Sequence, residues 1–215
     1  MGDGIELGTC LFTVVEPAPG QASAYNAWYE RDHFYAGMMA MPHCFAGRRW
    51  VATAALKALT GVESGSFLAI YWIEAGRHDE FAPAAVDAFA RLSAEGRMFE
   101  GREHVHTGFY ELDAAARRDV DGVPPALALD HPFAGLVAAL GGAAPSPAGA
   151  VALVLTWRPI ATPGFEGPGD PLHLLFLDAA PHECAGDWRL AVAGATWARA
   201  FIPTVPGTNT HLDAL

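Results

Sequence analysis

Charge is what this chain has least of. Only 17% of its 215 residues are Asp, Glu, Lys or Arg, against roughly 25% in ordinary soluble domains, while 52% are apolar. That balance excludes an extensively disordered chain and requires a large buried core. Basic residues are the scarcer sign: 13 Lys and Arg against 24 Asp and Glu give a formal charge of -11. Nucleic acid and anionic membrane are thereby excluded as partners, since both need a basic patch. The cysteines are Cys10, Cys44 and Cys184, an odd number without a CxxC pair, which argues against a disulfide framework or zinc ribbon and for reduced thiols in the cytoplasm. No apolar run approaches the roughly 18 residues of a membrane-spanning helix. The N-terminus MGDGIE is acidic where a signal peptide is basic, and it has no Ser or Thr at position six for myristoylation of Gly2. GxGxxG, P-loop, GxSxG, HExxH and EF-hand patterns are missing too, so nucleotide-dependent and serine-hydrolase chemistry is not indicated.

Aromatic and ionisable residues are present in quantity at one place, residues 24–53, AYNAWYERDHFYAGMMAMPHCFAGRRWVAT. On a 3.6-residue period Tyr25, Trp28, Tyr29, Asp32, Ala36 and Met39 share a stripe, with Asn26, Tyr29, His33 and Gly37 in the adjoining row. The apolar face of this helix therefore carries Asp32 and His33, groups that lose hydration there and need a partner, a ligand or a function. In the strand that follows, Phe45, Gly47, Arg49 and Val51 alternate with Ala46, Arg48, Trp50 and Ala52. Each face receives one arginine, so one guanidinium must lie under a helix and the other must point into whatever the sheet encloses.

The remaining elements read in order. Residues 7–15 form a strand closed by EPAPG, and FLAIYWI at 67–73 is apolar on both faces, as in a central strand. Residues 79–98 repeat apolar side chains at helical spacing, and 103–112 alternate again. Residues 1–113 thus give β-α-β-β-α-β, the ferredoxin-like order. Residues 114–149 read as a linker in which Phe133, Leu136, Val137 and Leu140 suggest a short helix and GGAAPSPAG a flexible connection. Residues 150–215 supply strands at 151–157, 172–177 and 196–205 and a short helix at 184–193, a second and reduced ferredoxin-like half in which the loop 161–171 replaces one helix and one strand. A ferredoxin-like sheet leaves one face bare. The expected fold is therefore α+β, with two halves packed sheet to sheet as a barrel around a pocket.

The element order, with NAWYERDHF on the first helix and MPHCFAGRRWVAT on the second strand, resembles the dimeric α+β barrel superfamily, and particularly its EthD-like branch. Trp28, Tyr29, His33, Pro42, Arg49 and Trp50 stand where that branch tends to carry a WY, a histidine a turn later, a proline and an arginine-aromatic pair. The resemblance covers residues 7–113 well and the rest by element order. It implies a site among cofactor-free quinone-forming monooxygenases, polyketide cyclases, fungal polyketide decarboxylases, lactone isomerases and haem-binding enzymes, and it leaves a homodimer open.

His33 is the leading candidate for general acid or base, because an imidazole titrates near neutrality. His104 and His106 alternate on a strand and are expected to share its cavity face with Tyr110, while Val105 and Phe109 pack under the helices. As a pair at i and i+2 the two histidines are also half of a metal site. Tyr29, Asp32, Arg49 and Trp72 are expected to bind substrate, Arg49 by anchoring an anion or by pairing with an acidic residue such as Asp32 or Glu30. His43, His78 and His131 fall in turns or helix starts, where exposure is the default. The expected function is acid-base chemistry on a small aromatic or polyketide-like molecule, as in a decarboxylase, cyclase or other lyase, without a cofactor. The alternatives are a cofactor-free or haem- or metal-dependent monooxygenase, with a transition metal at His104 and His106 or a haem, and a non-catalytic binding protein.

Overall fold

The doubly apolar run at 67–73 becomes a strand covered on both sides: β3 (Phe67–Glu74) is buried over seven consecutive residues. It lies between β1 (Leu7–Pro17) and β2 (Cys44–Val51) and is antiparallel to both. A computed structural model describes residues 4–165 and 169–215, so the Gly2 reading and part of the 161–171 loop lie outside the described residues. Along the chain follow α1 (Ala22–Trp28), a π-helix (Tyr29–Met39), α2 (Ala54–Thr60), α3 (His78–Ala94), β4 (Arg102–Arg117), β5 (Gly135–Leu140), β6 (Val151–Ile160), β7 (Leu172–Leu177), α4 (Ala185–Arg189) and β8 (Trp197–Pro203). Thr53 caps α2 by accepting from the Leu56 amide at 3.4 Å, and Gly61 ends it in the left-handed region.

The eight strands close into one barrel in the order β1-β3-β2-β8-β5-β7-β6-β4, every neighbour antiparallel. Strands β1 to β4 lie in the order 4-1-3-2, and the four after them repeat that order. The first helix, second strand, third strand and second helix stand where periodicity put them. The segment around Leu136 does not: it is β5, a strand buried at all six positions, not a short helix. Six apolar residues without interruption fit either state, and pairing on both edges, with β7 and β8, decides for the strand. Residues 114–149 therefore contribute a wall of the barrel as well as a connection.

The lumen is filled. Phe12, Trp50, Trp72, Trp157, Phe176 and Phe201, all wholly buried, meet there with Tyr110, and Trp72 lies 5.1 Å from Trp157 between ring centroids. This corrects the expectation of a pocket between the sheets. Side chains of this size pack the interior of an eight-stranded barrel to core density. The outer face of β1 to β4 is covered instead by α1, the π-helix and α3, around Tyr25, Tyr29, Tyr71, Phe81 and Phe109.

Candidate functional site

The space that remains between sheet and helices is a pocket of about 90 Å³ whose lining includes Tyr29, His33, Tyr71, Phe89, Arg102, His104 and Thr107. Its geometry begins with the π-helix. The Ala40 amide bonds the Tyr35 carbonyl five residues back, at 2.9 Å, a spacing rare in proteins and frequent at functional sites. Residues five apart become neighbours, and His33 stacks on Trp28 with ring centroids 4.5 Å apart and planes 19° from parallel. Tyr29 meets the same imidazole edge-on at 5.1 Å. Gly37 makes the arrangement fit, since a Cβ there would stand 2.9 Å from His33 Nδ1 and Cε1. His33 Nδ1 is buried without a partner among the described residues. Burial, then the nearby Arg102 charge, lower the imidazole pKa to about 4, so at neutral pH it is uncharged and able to accept a proton.

The Tyr29 and Tyr71 hydroxyls are hydrogen-bonded to each other at 2.9 Å, and burial raises both phenol pKa values. Thr107 Oγ1 donates to the His106 carbonyl at 2.9 Å and lies 2.7 Å from Thr13 Oγ1 and 2.9 Å from His104 Nδ1. With its own proton committed, Thr107 accepts from its neighbours, which sets His104 as the Nδ1–H tautomer. His104 Nε2 is then free to accept from Arg102 Nε at 3.3 Å. Burial, followed by the Arg102 charge, lowers the His104 pKa.

The sequence-predicted residues divide between two places. Tyr29, His33 and His104 line the pocket. His106 does not, because a β-bulge intervenes: on β1, Val14 pairs with His106 and Val15 with His104, leaving Val105 as the extra residue. The alternation slips by one, so His104 and His106 fall on opposite faces. His106 turns to the lumen, against Phe12, with its Nε2 2.8 Å from the Tyr110 hydroxyl. Val105 packs on the lumen cluster and not under the helices. Tyr110 and Trp72 are lumen residues too. The two histidines are not arranged to share a metal, and no group of three or more His, Cys, Asp or Glu suited to one occurs among the described residues.

Asp32 sits beside the pocket, held by Arg97, whose Nε donates at 3.1 Å and whose Nη2 donates to the other carboxylate oxygen. That bond lowers the Asp32 pKa. Of the two arginines that β2 sends to opposite faces, Arg49 is the one under the helix, buried and 4.4 Å above the Tyr29 ring. It donates to Asn26 Oδ1 at 2.7 Å and pairs with Glu30 at 3.2 Å, so its acidic partner is Glu30 and not Asp32. Arg48, on the opposite face, donates to the carbonyls of Leu129 and His131 and lies 4.6 Å from the Trp50 ring. Arg102 was missed in the sequence. It stands one residue before the alternating run that begins at Glu103, and only its proximity to His104 hinted at it.

No protein-family model matches the chain, and no curated protein matches it. Solved structures do resemble it in fold. One described as a chlorite dismutase superposes with a TM-score of 0.53 at 12% identity, covering 98% of this chain and 100% of the other. An anthrone oxidase-like protein gives 0.52 at 11%, covering 93% and 92%. A dyp-type peroxidase from Shewanella oneidensis gives 0.54 at 7%, covering 94% of each. At such identities the likeness concerns the fold alone, an eight-stranded α+β barrel of the ferredoxin-like kind.

Two expectations give way here. These neighbours are described as a dismutase, an oxidase-like protein and a peroxidase, oxidative proteins and not decarboxylases or cyclases, so the lyase reading is withdrawn. The expectation of no cofactor falls with it, because the neighbours described as a chlorite dismutase and a peroxidase are proteins of haem-binding kinds. The pocket itself does not fit a haem. His33 is a suitable axial ligand by type, but its free Nδ1 faces the Gly37 backbone, and about 90 Å³ is far below the several hundred Å³ of sites for large ligands.

Proposed function

We propose that the chain is an oxidative enzyme, of the oxidase or monooxygenase type, acting on a small hydroxylated aromatic or polyketide-like molecule in the pocket beneath the π-helix. The observation that carries this reading is the neutral His33 imidazole, stacked on Trp28 in a pocket walled by aromatic rings. An aromatic hydroxyl or an activated ring carbon gives its proton to His33, and the electron-rich anion so formed is what an oxidant takes electrons from. A pKa near 4 makes His33 a weak base toward a phenol, so the anion needs a positive neighbour. Arg102 at the mouth is that neighbour for a substrate with no acid group of its own. His104, fixed in one tautomer by Thr107, holds Arg102 in place at the mouth.

The order of elements and the WY, His, Pro and Arg-Trp pattern support a place near the EthD-like branch. The repeated 4-1-3-2 strand order supports two ferredoxin-like halves, residues 1–113 and 150–215 joined by 114–149, with β5 assigned to the second. Oxygen uptake with anthrone and polyhydroxynaphthalenes tests the activity. Oxygen consumed in proportion to oxidised product is expected, and product formed without oxygen consumption would refute it. The absorption spectrum of the purified protein shows at the same time whether it carries haem.

A further inference from the structure

Arg102 is a cation without a counter-ion. Arg49, Arg77, Arg91, Arg97, Arg118 and Arg158 each pair with a carboxylate, and the buried or part-buried Arg48 and Arg199 donate to backbone carbonyls instead. Arg102, half-buried at the pocket mouth, has no such pair among the described residues; its bond is the one to neutral His104, and its carbon Cζ lies 4.9 Å from the Trp28 ring centre. Partial removal of a guanidinium from water without an anion to meet it is costly. A stacked guanidinium is also preorganised for a planar anion. Trp28 carries Arg102 and His33 together, so a ring seated against His33 places its substituent beside Arg102.

We propose that Arg102 anchors a carboxylate on the substrate, so that the preferred ligand is a hydroxylated aromatic acid whose ring lies against His33 and whose carboxylate stays at the mouth. This rests on the pocket being the substrate site of the proposed enzyme. The small pocket admits the ring, and the charged end remains at the mouth against Arg102. The pairing also couples binding to chemistry. Arg102 is one cause, after burial, of the lowered His33 pKa, opposed by Asp32 and assisted by His104 and Arg49. A carboxylate on Arg102 offsets that charge and makes His33 a stronger base once substrate is seated.

Calorimetry with 3-hydroxybenzoate and its neutral isostere 3-hydroxybenzamide tests the anchor without turnover. The acid should bind about tenfold or more tightly than the amide, as expected for a charge-assisted pair. Arg102→Met should erase the preference for the acid over the amide, and Arg102→Lys should restore part of it. Should Arg102→Met fail to fold, added salt serves on the wild type: acid affinity should fall with salt and amide affinity should not. Equal affinities in the wild type, a preference that survives Arg102→Met, or no binding of either compound at millimolar concentration would each overturn the proposal. Acid-selective binding with no oxygen uptake leaves the anchor standing and sinks the oxidative reading. Oxygen uptake on neutral hydroxyarenes without acid selectivity does the reverse.

Discussion

The two faces of the β1 to β4 sheet each hold a histidine whose pKa burial lowers to about 4, His33 over the outer face and His106 on the inner. Their surroundings are opposite. His106 is satisfied by the Tyr110 hydroxyl at 2.8 Å in a lumen closed by Trp50, Trp72 and Trp157. His33 keeps an unpartnered nitrogen beside a pocket that reaches solvent past the half-exposed Phe89. A perturbed imidazole is thus not by itself a site. What distinguishes the outer one is a space next to the ring.

The contrast breaks most visibly on the lumen side. Trp72→Ala removes a wholly buried indole and should cost about 3–5 kcal/mol of stability in urea unfolding, whereas His33→Ala should leave the unfolding midpoint close to wild type. Equal losses would mean that the outer pocket is core as well. Turnover should divide the other way: His33→Ala lowers kcat by about 100-fold or more, and His106→Ala changes kcat little in whatever fraction stays folded. A His33→Ala protein with full activity would remove His33 from the mechanism.

The pH response sharpens the comparison. A histidine with an ordinary pKa near 6.5 that falls to about 4 in the fold binds its proton later than in the unfolded chain. Stability is therefore unaffected above about pH 6.5 and is lost progressively as the pH falls toward 4. Both histidines contribute to that slope, so His33→Ala and His106→Ala should each flatten it. Only His33 should set the acid limb of kcat/KM, placing it near pH 4 in the free enzyme and not near 6.5. The smallest effect is expected at the rim. Asp32→Asn weakens a partly exposed pair with Arg97, and it should shift Tm slightly and leave KM unchanged; a large rise in KM would return Asp32 to the binding site.

Much of the first 113 residues was legible because their periodicities are undisturbed. FLAIYWI had to be a central strand, and alternation along β2 did send its two arginines to opposite faces, though not which of them would lie under the helices. What escaped was every departure from a regular period. The α-helical wheel pairs residues three or four apart, so it cannot show His33 on Trp28, five positions away. Strict alternation put His104 and His106 on one face, and a single bulged residue, Val105, separated them. Around Leu136 both periods fit, and only partners far along the chain could choose. Arg102 was hidden for another reason: a lone arginine in sequence says nothing about whether an acid will meet it.

Closure of the barrel within one chain changes how the site responds to mass action. Where two polypeptides complete a barrel, dilution removes half of the wall. Here β8 bonds β2 and β6 bonds β4 in the same molecule, so assembly of the wall is first order. Specific activity should accordingly stay constant as the protein is diluted.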